Sequence, residues 1–151
     1  MSTPARQAFS IRHARLEDAG EIARLSEQLG YAMAAHEAAA RLKRLLDMPT
    51  HVVFVLAEDD GLRGYVAAEH RLLLESGERV DIVGLVVDDR CRRNGGGGAL
   101  LTAAELWAMK RGVRQLRVRS NILRDGSHAF YEALGYLRAK TQHAYAKTLG
   151  G

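Results

Sequence analysis

The stretch that most constrains the fold is an apolar run followed by four glycines and a helical pattern. Residues 82–87 lack polar alternation, which is typical of a strand covered on both faces. Glycine fills positions 95–98, and from Ala99 onward apolar residues recur with helical spacing. Glycine lets a backbone approach a ligand closely, and a helix start presents unpaired amides at its positive dipole end. This stretch therefore predicts a loop that binds a phosphate or a pyrophosphate.

The glycine run also has simpler explanations. Four glycines can form a flexible linker, and Asn94-Gly95 alone can form a hairpin turn. A linker does not normally join a buried strand to a well-patterned helix, so a ligand loop is favoured and the linker is kept as the alternative. Two common phosphate motifs do not fit. A P-loop needs a Gly-Lys pair, which the chain lacks, and a dinucleotide fingerprint counted from Gly95 needs a glycine where Leu100 stands.

The rest of the chain alternates strand and helix patterns. Strands are predicted over residues 9–13, 51–58, 62–73 and 113–118, with a last strand from Tyr136 to about Lys147. Helices are predicted from residue 16, over 33–46, from Ala99 to near Gly112, and over 127–134 with Gly135 as the cap. In the helix from Ala99, the residues expected to face the core are Leu100, Leu101, Ala104, Leu106 and Ala108.

Length and composition suit one globular domain over residues 1–151. Hydrophobic residues make up 47% and charged residues 26%, which argues against disorder. No apolar stretch approaches the about 18 residues of a membrane span, and the first eight residues lack a signal-peptide core, so a cytoplasmic location is expected. The single cysteine, Cys91, permits no internal disulfide and agrees with a reducing compartment.

The charge and the aromatic content limit the partners. A net charge of +4 could suit nucleic acid, but a small anionic cofactor explains it equally well. Aromatic residues are only 6% of the chain, and no recognition helix or paired-cysteine module is recognisable, so no nucleic-acid partner is predicted. The six histidines are far apart in the sequence, so no metal is predicted. No membrane partner is predicted, and a homodimer is left open.

Two motifs lie on either side of the helix predicted from Ala99. Residues 92–97 read RRNGGG, an RxxGxG pattern that follows the apolar Leu85-Val86-Val87. Residues 120–136 read SNILRDGSHAFYEALGY. The first segment resembles the acetyl-CoA motif, and the second the C-terminal motif, of the GNAT superfamily of N-acetyltransferases. With the early strand and helix, the resemblance covers most of the chain. It implies a single-domain α/β (α+β) GNAT fold, with a mixed, mostly antiparallel sheet that splays between strands four and five and helices on both faces.

The resemblance also implies acetyl-CoA as co-substrate and assigns its contacts by motif position. The strand backbone at Leu85, Val86 and Val87 is implied to bind pantetheine, and the loop amides the pyrophosphate. The other implied cofactor-binding residues are Arg92, Arg93, Asn94, Gly95, Gly96, Gly97, Gly98, Asn121 and Arg124. Gly97, the second glycine of RxxGxG, is expected to approach the pyrophosphate closely, whereas Gly96→Ala is expected to matter less. Arg124 stands where many relatives have asparagine.

The implied reaction is direct attack of a neutral amine on the thioester. Backbone amides at residues 85–87 can polarise the carbonyl. Tyr131 matches the family's general acid, because a tyrosine with a reference pKa of about 10 can protonate a thiolate whose thiol has a pKa of about 8.5. The alternative is a core tyrosine. Asp81 is the first choice for the base, since many relatives have Glu or Asp just before the cofactor segment. A surface aspartate is the alternative, and His128 is a second candidate.

The sequence alone leaves two functions open. The favoured one is an N-acetyltransferase acting on a primary amine of a small molecule or a peptide, and the other is a GNAT-fold sensor that binds acyl-CoA without turnover. The resemblance places residues 31–37 as a wall on the acceptor side, whereas Tyr31 alone can equally well only pack a turn. Intact glycine and tyrosine motifs favour the enzyme.

Overall fold

The fold is known from a computed structural model that describes residues 9–88, 95–119 and 125–150, with only the backbone at 125–128. The coordinates group into two compact units, Met1–Val118 and Arg119–Gly151. The elements of the first unit are β1 (Ser10–His13), a short 3-10 helix (Leu16–Asp18), α1 (Ala19–Glu27), α2 (Ala35–Leu46), β2 (His51–Glu58), β3 (Gly61–Leu73), β4 (Gly77–Val87), α3 (Gly96–Lys110) and β5 (Leu116–Val118). The second unit holds α4 (Asp125–Ala133).

The five strands form one sheet in the order β1-β2-β3-β4-β5. The first four strands are antiparallel, and β5 runs parallel to β4. Tight turns connect β2 to β3 and β3 to β4, because polar and glycine-containing segments separate strands of β-branched residues. The sheet is therefore mixed and mostly antiparallel, as predicted.

Helices α1 and α2 cover one face of the sheet. Leu25 of α1 and Leu42 of α2 are buried in one cluster with Val53 and Val55 of β2. Because side chains alternate along a strand, Leu56 points to the opposite face. A Cβ atom built on Gly96 of α3 would lie 2.7 Å from Leu56 Cδ2, so α3 packs on that second face. Helices on both faces are thus confirmed.

Helix α3 departs from the predicted pattern in two ways. It begins at Gly96 rather than Ala99, so the glycine run forms its first turn. Four of the five predicted inward residues are buried, but Leu106 is 51% exposed. The prediction for Leu106 was wrong because this residue lies about 200° around the helix from Ala104, at 100° per residue, whereas Ala108 lies four residues on and returns to the same face.

The predicted last strand is also wrong. Residues 136–150 have no regular secondary structure. A strand needs a neighbouring strand whose backbone groups pair with it, and the pairs of the described sheet include none for this segment. The predicted cap of α4 is confirmed, since Gly135 has φ of +89° and the amide of Tyr136 donates to the carbonyl of Tyr131 at 3.0 Å.

None of the helices in the described ranges has the length and the apolar character needed to cross a bilayer.

Candidate active site

The sheet opens at the C-terminal end of β4. Strand β5 pairs with β4 only at Val80, Asp81 and Ile82. Past Ile82, β4 continues to Val87, and the described part of the sheet has no fifth strand beside it. Within the described residues, the pairing of strands four and five therefore ends at Ile82, which agrees with the predicted splay. The side of β4 past Ile82 that faces away from β3 is its open edge.

The backbone groups of this part of β4 divide between two edges. On one side, Leu85, Val86 and Val87 pair in register with β3. Successive residues of a strand direct their amides and carbonyls to opposite edges. Leu85 and Val87 therefore direct their backbone groups to one edge of β4, and Val86 directs its groups to the other. The three residues predicted to bind pantetheine cannot all face the open edge.

A bulge lies just before this segment, and the sequence did not reveal it. Ala68 pairs with Ile82 and Ala67 pairs with Gly84, so Val83 is an extra residue in β4. Val83 is 59% exposed, which corrects the prediction of a strand covered on both faces. A bulge reverses the alternation of the residues beyond it. The glycine at 84, inside an otherwise apolar strand, is the signal that could have predicted it.

The first turn of α3 lies at the same end of β4. A Cβ atom on Gly96 would lie 3.8 Å from Val87 Cγ1, so the first residue of the helix contacts the last residue of the strand. Gly95 precedes it with φ of +80°, a left-handed conformation that favours glycine. The amides of a first helical turn have no acceptor within the helix, and the dipole is positive there. This arrangement has the features expected of a phosphate-binding loop.

Asp81 lies at the other end of the splayed segment, where β4 and β5 still pair. Its carboxylate accepts hydrogen bonds from Arg79 Nε at 2.7 Å and Arg71 Nη1 at 2.9 Å. Burial alone would raise the pKa of Asp81, but the bonds from Arg79 and Arg71 outweigh it and hold the pKa below its ordinary value. Asp81 is therefore an ionised carboxylate at neutral pH, and a weak base.

These features can be set beside known proteins. A family model described as the acetyltransferase (GNAT) family matches residues 16–136, well over half of the chain. The chain belongs to the GNAT acetyltransferase family.

Three similar proteins illustrate the range of the family. An uncharacterized N-acetyltransferase of Bacillus subtilis (strain 168), YhdJ, is 32% identical over 91 residues, which are 60% of this chain and 64% of that protein. Aminoglycoside N(6')-acetyltransferase type 1 of Serratia marcescens is 27% identical over 118 residues, 74% of this chain and 80% of that protein. The solved aminoglycoside N-acetyltransferase AAC(6')-Iy in complex with CoA has a TM-score of 0.87 and 20% identity, covering 98% of this chain and 100% of that one. At that identity the likeness concerns the fold.

Membership of the GNAT family confirms several predictions. The fold class is correct, and so is the enzyme class, an acyltransferase with acetyl-CoA as its co-substrate. The family match runs through both compact units. The single domain over residues 1–151 and the individual site residues stay predictions.

Several predicted residues of this GNAT site lie outside the described residues. They are Arg92, Arg93, Asn94, Asn121 and Arg124. Gly95, Gly96, Gly97 and Gly98 are described, and they form the N-cap and first turn of α3.

Tyr131 is described within the second unit. It lies on α4, where its ring is 5.2 Å from that of Phe130 and 6.1 Å from that of Tyr136, both in edge-on arrangements. The side chain is half-buried. Edge-on aromatic contacts hold a ring in a fixed orientation, which suits either a catalytic tyrosine or a packing one.

One polar pair beside the bulge of β4 was not predicted from the sequence. Ser26 of α1 is fully buried, and its hydroxyl donates to the carbonyl of Ile22 at 2.8 Å. Because that bond uses its only proton, Ser26 Oγ accepts from the hydroxyl of Tyr65, also at 2.8 Å. Burial raises the pKa of Tyr65, and the bond to Ser26 opposes that rise. The ring of Tyr65 lies 3.6 Å from the Cβ position of Gly84, so it adjoins the bulge.

Proposed function

We propose that the protein transfers an acetyl group from acetyl-CoA to a primary amine of a small molecule by direct attack. The observation that carries the proposal is the opened edge of β4 beside the first turn of α3, within a GNAT-family chain. A thioester lying along that edge has its pyrophosphate end towards the helix N-terminus. In the reaction, the amine nitrogen bonds to the carbonyl carbon, the carbon–sulfur bond breaks, and the thiolate takes up a proton.

The backbone of β4 supplies the first chemical need. The amide of Asp88 donates to Arg63 of β3, so by alternation Leu85, rather than Val86, directs its amide to the open edge. This amide donates to the thioester carbonyl, where negative charge develops in the transition state. It belongs to a strand that β3 holds in register, so it needs little reorganisation. The first turn of α3, with Gly96 and Gly97 buried in it, binds the pyrophosphate.

Asp81 remains the proposed base. Each carboxylate oxygen has two lone pairs, so Asp81 can accept from a substrate amine while Arg71 and Arg79 hold it. Its lowered pKa means that it takes a proton reluctantly. We therefore expect Asp81→Asn to lower kcat/KM most at neutral pH, where the amine is protonated, and least at high pH. An equal loss at every pH would make Asp81 an anchor for the two arginines instead.

Tyr131 is the proposed acid that protonates the departing thiolate. The support is its place in the motif FYEALGY and the fixed orientation of its ring between Phe130 and Tyr136. The reference pKa of a phenol, about 10, lies above that of a thiol, about 8.5, so this proton transfer is uphill by about 2 kcal/mol. The phenolate that it leaves takes a proton from water before the next turnover.

An amino sugar is the first acceptor to test. The support is the 27% identity to the aminoglycoside enzyme of Serratia marcescens over 118 residues. Peptide amines are the competing acceptors, and a homodimer stays a prediction that gel filtration with light scattering can check.

The experiment has two arms. In the first, acetyl-CoA at a hundred times its Kd should add about 2.7 kcal/mol of apparent stability, and ATP or NAD far less. In the second, thiol release from acetyl-CoA is measured with aminoglycosides that have or lack a 6'-amine, with spermidine, and with a peptide. Turnover of a small amine supports the proposal. Strong stabilisation by acetyl-CoA without thiol release from any acceptor would favour a non-catalytic acyl-CoA sensor.

A further inference from the structure

One side chain of helix α1, that of Arg24, bonds to the residue that follows β4. Arg24 Nη1 donates to Asp88 Oδ2 at 3.2 Å, and Nη2 donates to the carbonyl of Leu62 at 2.8 Å. The Nε atom donates to Glu21 Oε2 at 2.8 Å. One guanidinium thus joins α1, the start of β3 and the residue that follows β4.

Asp88 is held through both its backbone and its side chain. It directly follows Val87, and its amide donates to the carbonyl of Arg63 at 2.7 Å. Its side chain is 4% exposed, whereas that of Arg24 is 38% exposed. A carboxylate so deeply buried requires cationic partners, and Arg24 is one of them.

The position of Asp88 determines where β4 ends relative to α3. Val87 contacts Gly96 at the first turn of α3 on one side, and Asp88 is tied to α1 on the other. The end of β4 is therefore held to α3 through Val87 and to α1 through Asp88. Ligand atoms that span strand edge and helix turn are sensitive to small displacements between these two elements.

We propose that Arg24 is a positioning residue for acetyl-CoA, holding Asp88 so that the end of β4 and the first turn of α3 keep their ligand-binding geometry. The inference rests on the proposed function only for its ligand. Arg24 acts through Asp88 and does not touch the reacting atoms.

The chain offers a matched control. Arg12 donates to both carboxylate oxygens of Asp18, at 2.8 and 2.9 Å, and the two side chains are 28% and 10% exposed. That pair joins β1 to the 3-10 helix, and its hydrogen bonds among the described residues stay within residues 12–18. Loss of either arginine leaves a largely buried carboxylate with one cation fewer, so both variants should lose stability. Only one should lose affinity for acetyl-CoA.

The test is calorimetric titration with acetyl-CoA, at a temperature where circular dichroism shows each variant to be folded. We expect Arg24→Met to raise Kd by roughly tenfold or more, since displacements of about 1 Å in a binding site are costly, and Arg12→Met to leave Kd within about twofold of wild type. In the Asp88→Asn background, Arg24→Met should add little, because residues acting through one contact are not additive. Arg24→Lys keeps the charge but not the planar fork, and should lie between wild type and Arg24→Met.

Several results would overturn the inference. Wild-type Kd in Arg24→Met, together with a lowered melting temperature, would make the residue purely structural. Fully additive losses with Asp88→Asn would show that Arg24 acts elsewhere. If Arg24→Met does not fold, Arg24→Lys and Asp88→Asn are measured in its place. Wild-type affinity for acetyl-CoA in both variants would then contradict the proposed role of Arg24. Because binding is measured, a wild type that binds acetyl-CoA but acetylates no amine refutes the proposed function alone. A wild type that does not bind acetyl-CoA overturns this inference as well.

Discussion

Adding one methyl group at Gly96 tests how α3 is seated on the sheet. A Cβ atom there would lie 2.7 Å from Leu56 Cδ2, about 1 Å closer than an ordinary carbon–carbon contact. Leu56 is 1% exposed, so its side chain has little room to move away. Overpacking of a core by one methyl group typically costs about 1–3 kcal/mol.

Helix propensity opposes this cost. Alanine is favoured over glycine by up to about 1 kcal/mol in a helix interior, and by less at the first helical residue, where Gly96 lies. The net loss for Gly96→Ala is therefore about 1–2 kcal/mol. For a chain of 151 residues, each kcal/mol corresponds to about 2–4 °C, so the melting temperature should fall by about 2–8 °C.

Gly20→Ala is the matched control. Gly20 lies in α1, and a Cβ atom there would meet nothing within 4 Å. The same substitution should stabilise the protein by about 0.4–1 kcal/mol, because it restricts the unfolded chain without a clash. Differential scanning calorimetry without ligand gives both values. A Gly96→Ala variant as stable as wild type would mean that Leu56 repacks freely, and the tight seating of α3 would be refuted.

Three further predictions concern the ligand, the acid and pH. Gly97→Val should weaken acetyl-CoA binding in calorimetry while the fold is retained, and unchanged affinity would mean that the pyrophosphate does not approach Gly97. Tyr131→Phe should lower kcat by about 10²- to 10⁴-fold with little change in acetyl-CoA affinity, and near-native kcat between about pH 6 and 10 would leave the tyrosine a packing residue. The pKa values of Asp18, Glu21 and Asp81 are lowered in the folded protein. Their stabilisation should therefore be complete at neutral pH and be lost as pH falls below about 4, the range of unfolded carboxyls. A urea midpoint equal at pH 7 and pH 3 would contradict this.

Local sequence patterns predicted the strands whose partners lie nearby in the sequence. The strand over residues 51–58 was predicted with the bounds it has, and β3 begins one residue before its predicted start. Both are made of β-branched or alternating side chains, and a tight turn joins them, so each strand has a partner close by in the sequence. The glycine run was correctly placed between β4 and a helix, but its own helical conformation was not predicted, since glycine has low helix propensity. Contacts of Gly96 with Leu56 and Val87 hold it in α3, and these contacts join distant parts of the sequence.

The arginine partners of Asp81 and Asp88 could not be predicted from a sequence pattern either. Arg71 is separated from Asp81 by a hairpin turn, and Arg24 from Asp88 by one helix and three strands. A single sequence shows that such charges exist but not which of them meet. For Asp81 the difference matters chemically, because its environment sets how readily it accepts a proton.

The bulge at Val83 explains how one strand serves both the packing of the sheet and the proposed chemistry. In a regular strand, Asp81 and Gly84 would face opposite sides, since they are three residues apart. The extra residue reverses the alternation, so that Asp81 pairs with Glu69 and Gly84 with Ala67, on the face that α1 and α2 cover. The carboxylate, the small residue at 84 and the Tyr65 ring therefore share that face of the sheet. Without the bulge, the splayed edge would remain, but the proposed base would lie on the face that packs against α3.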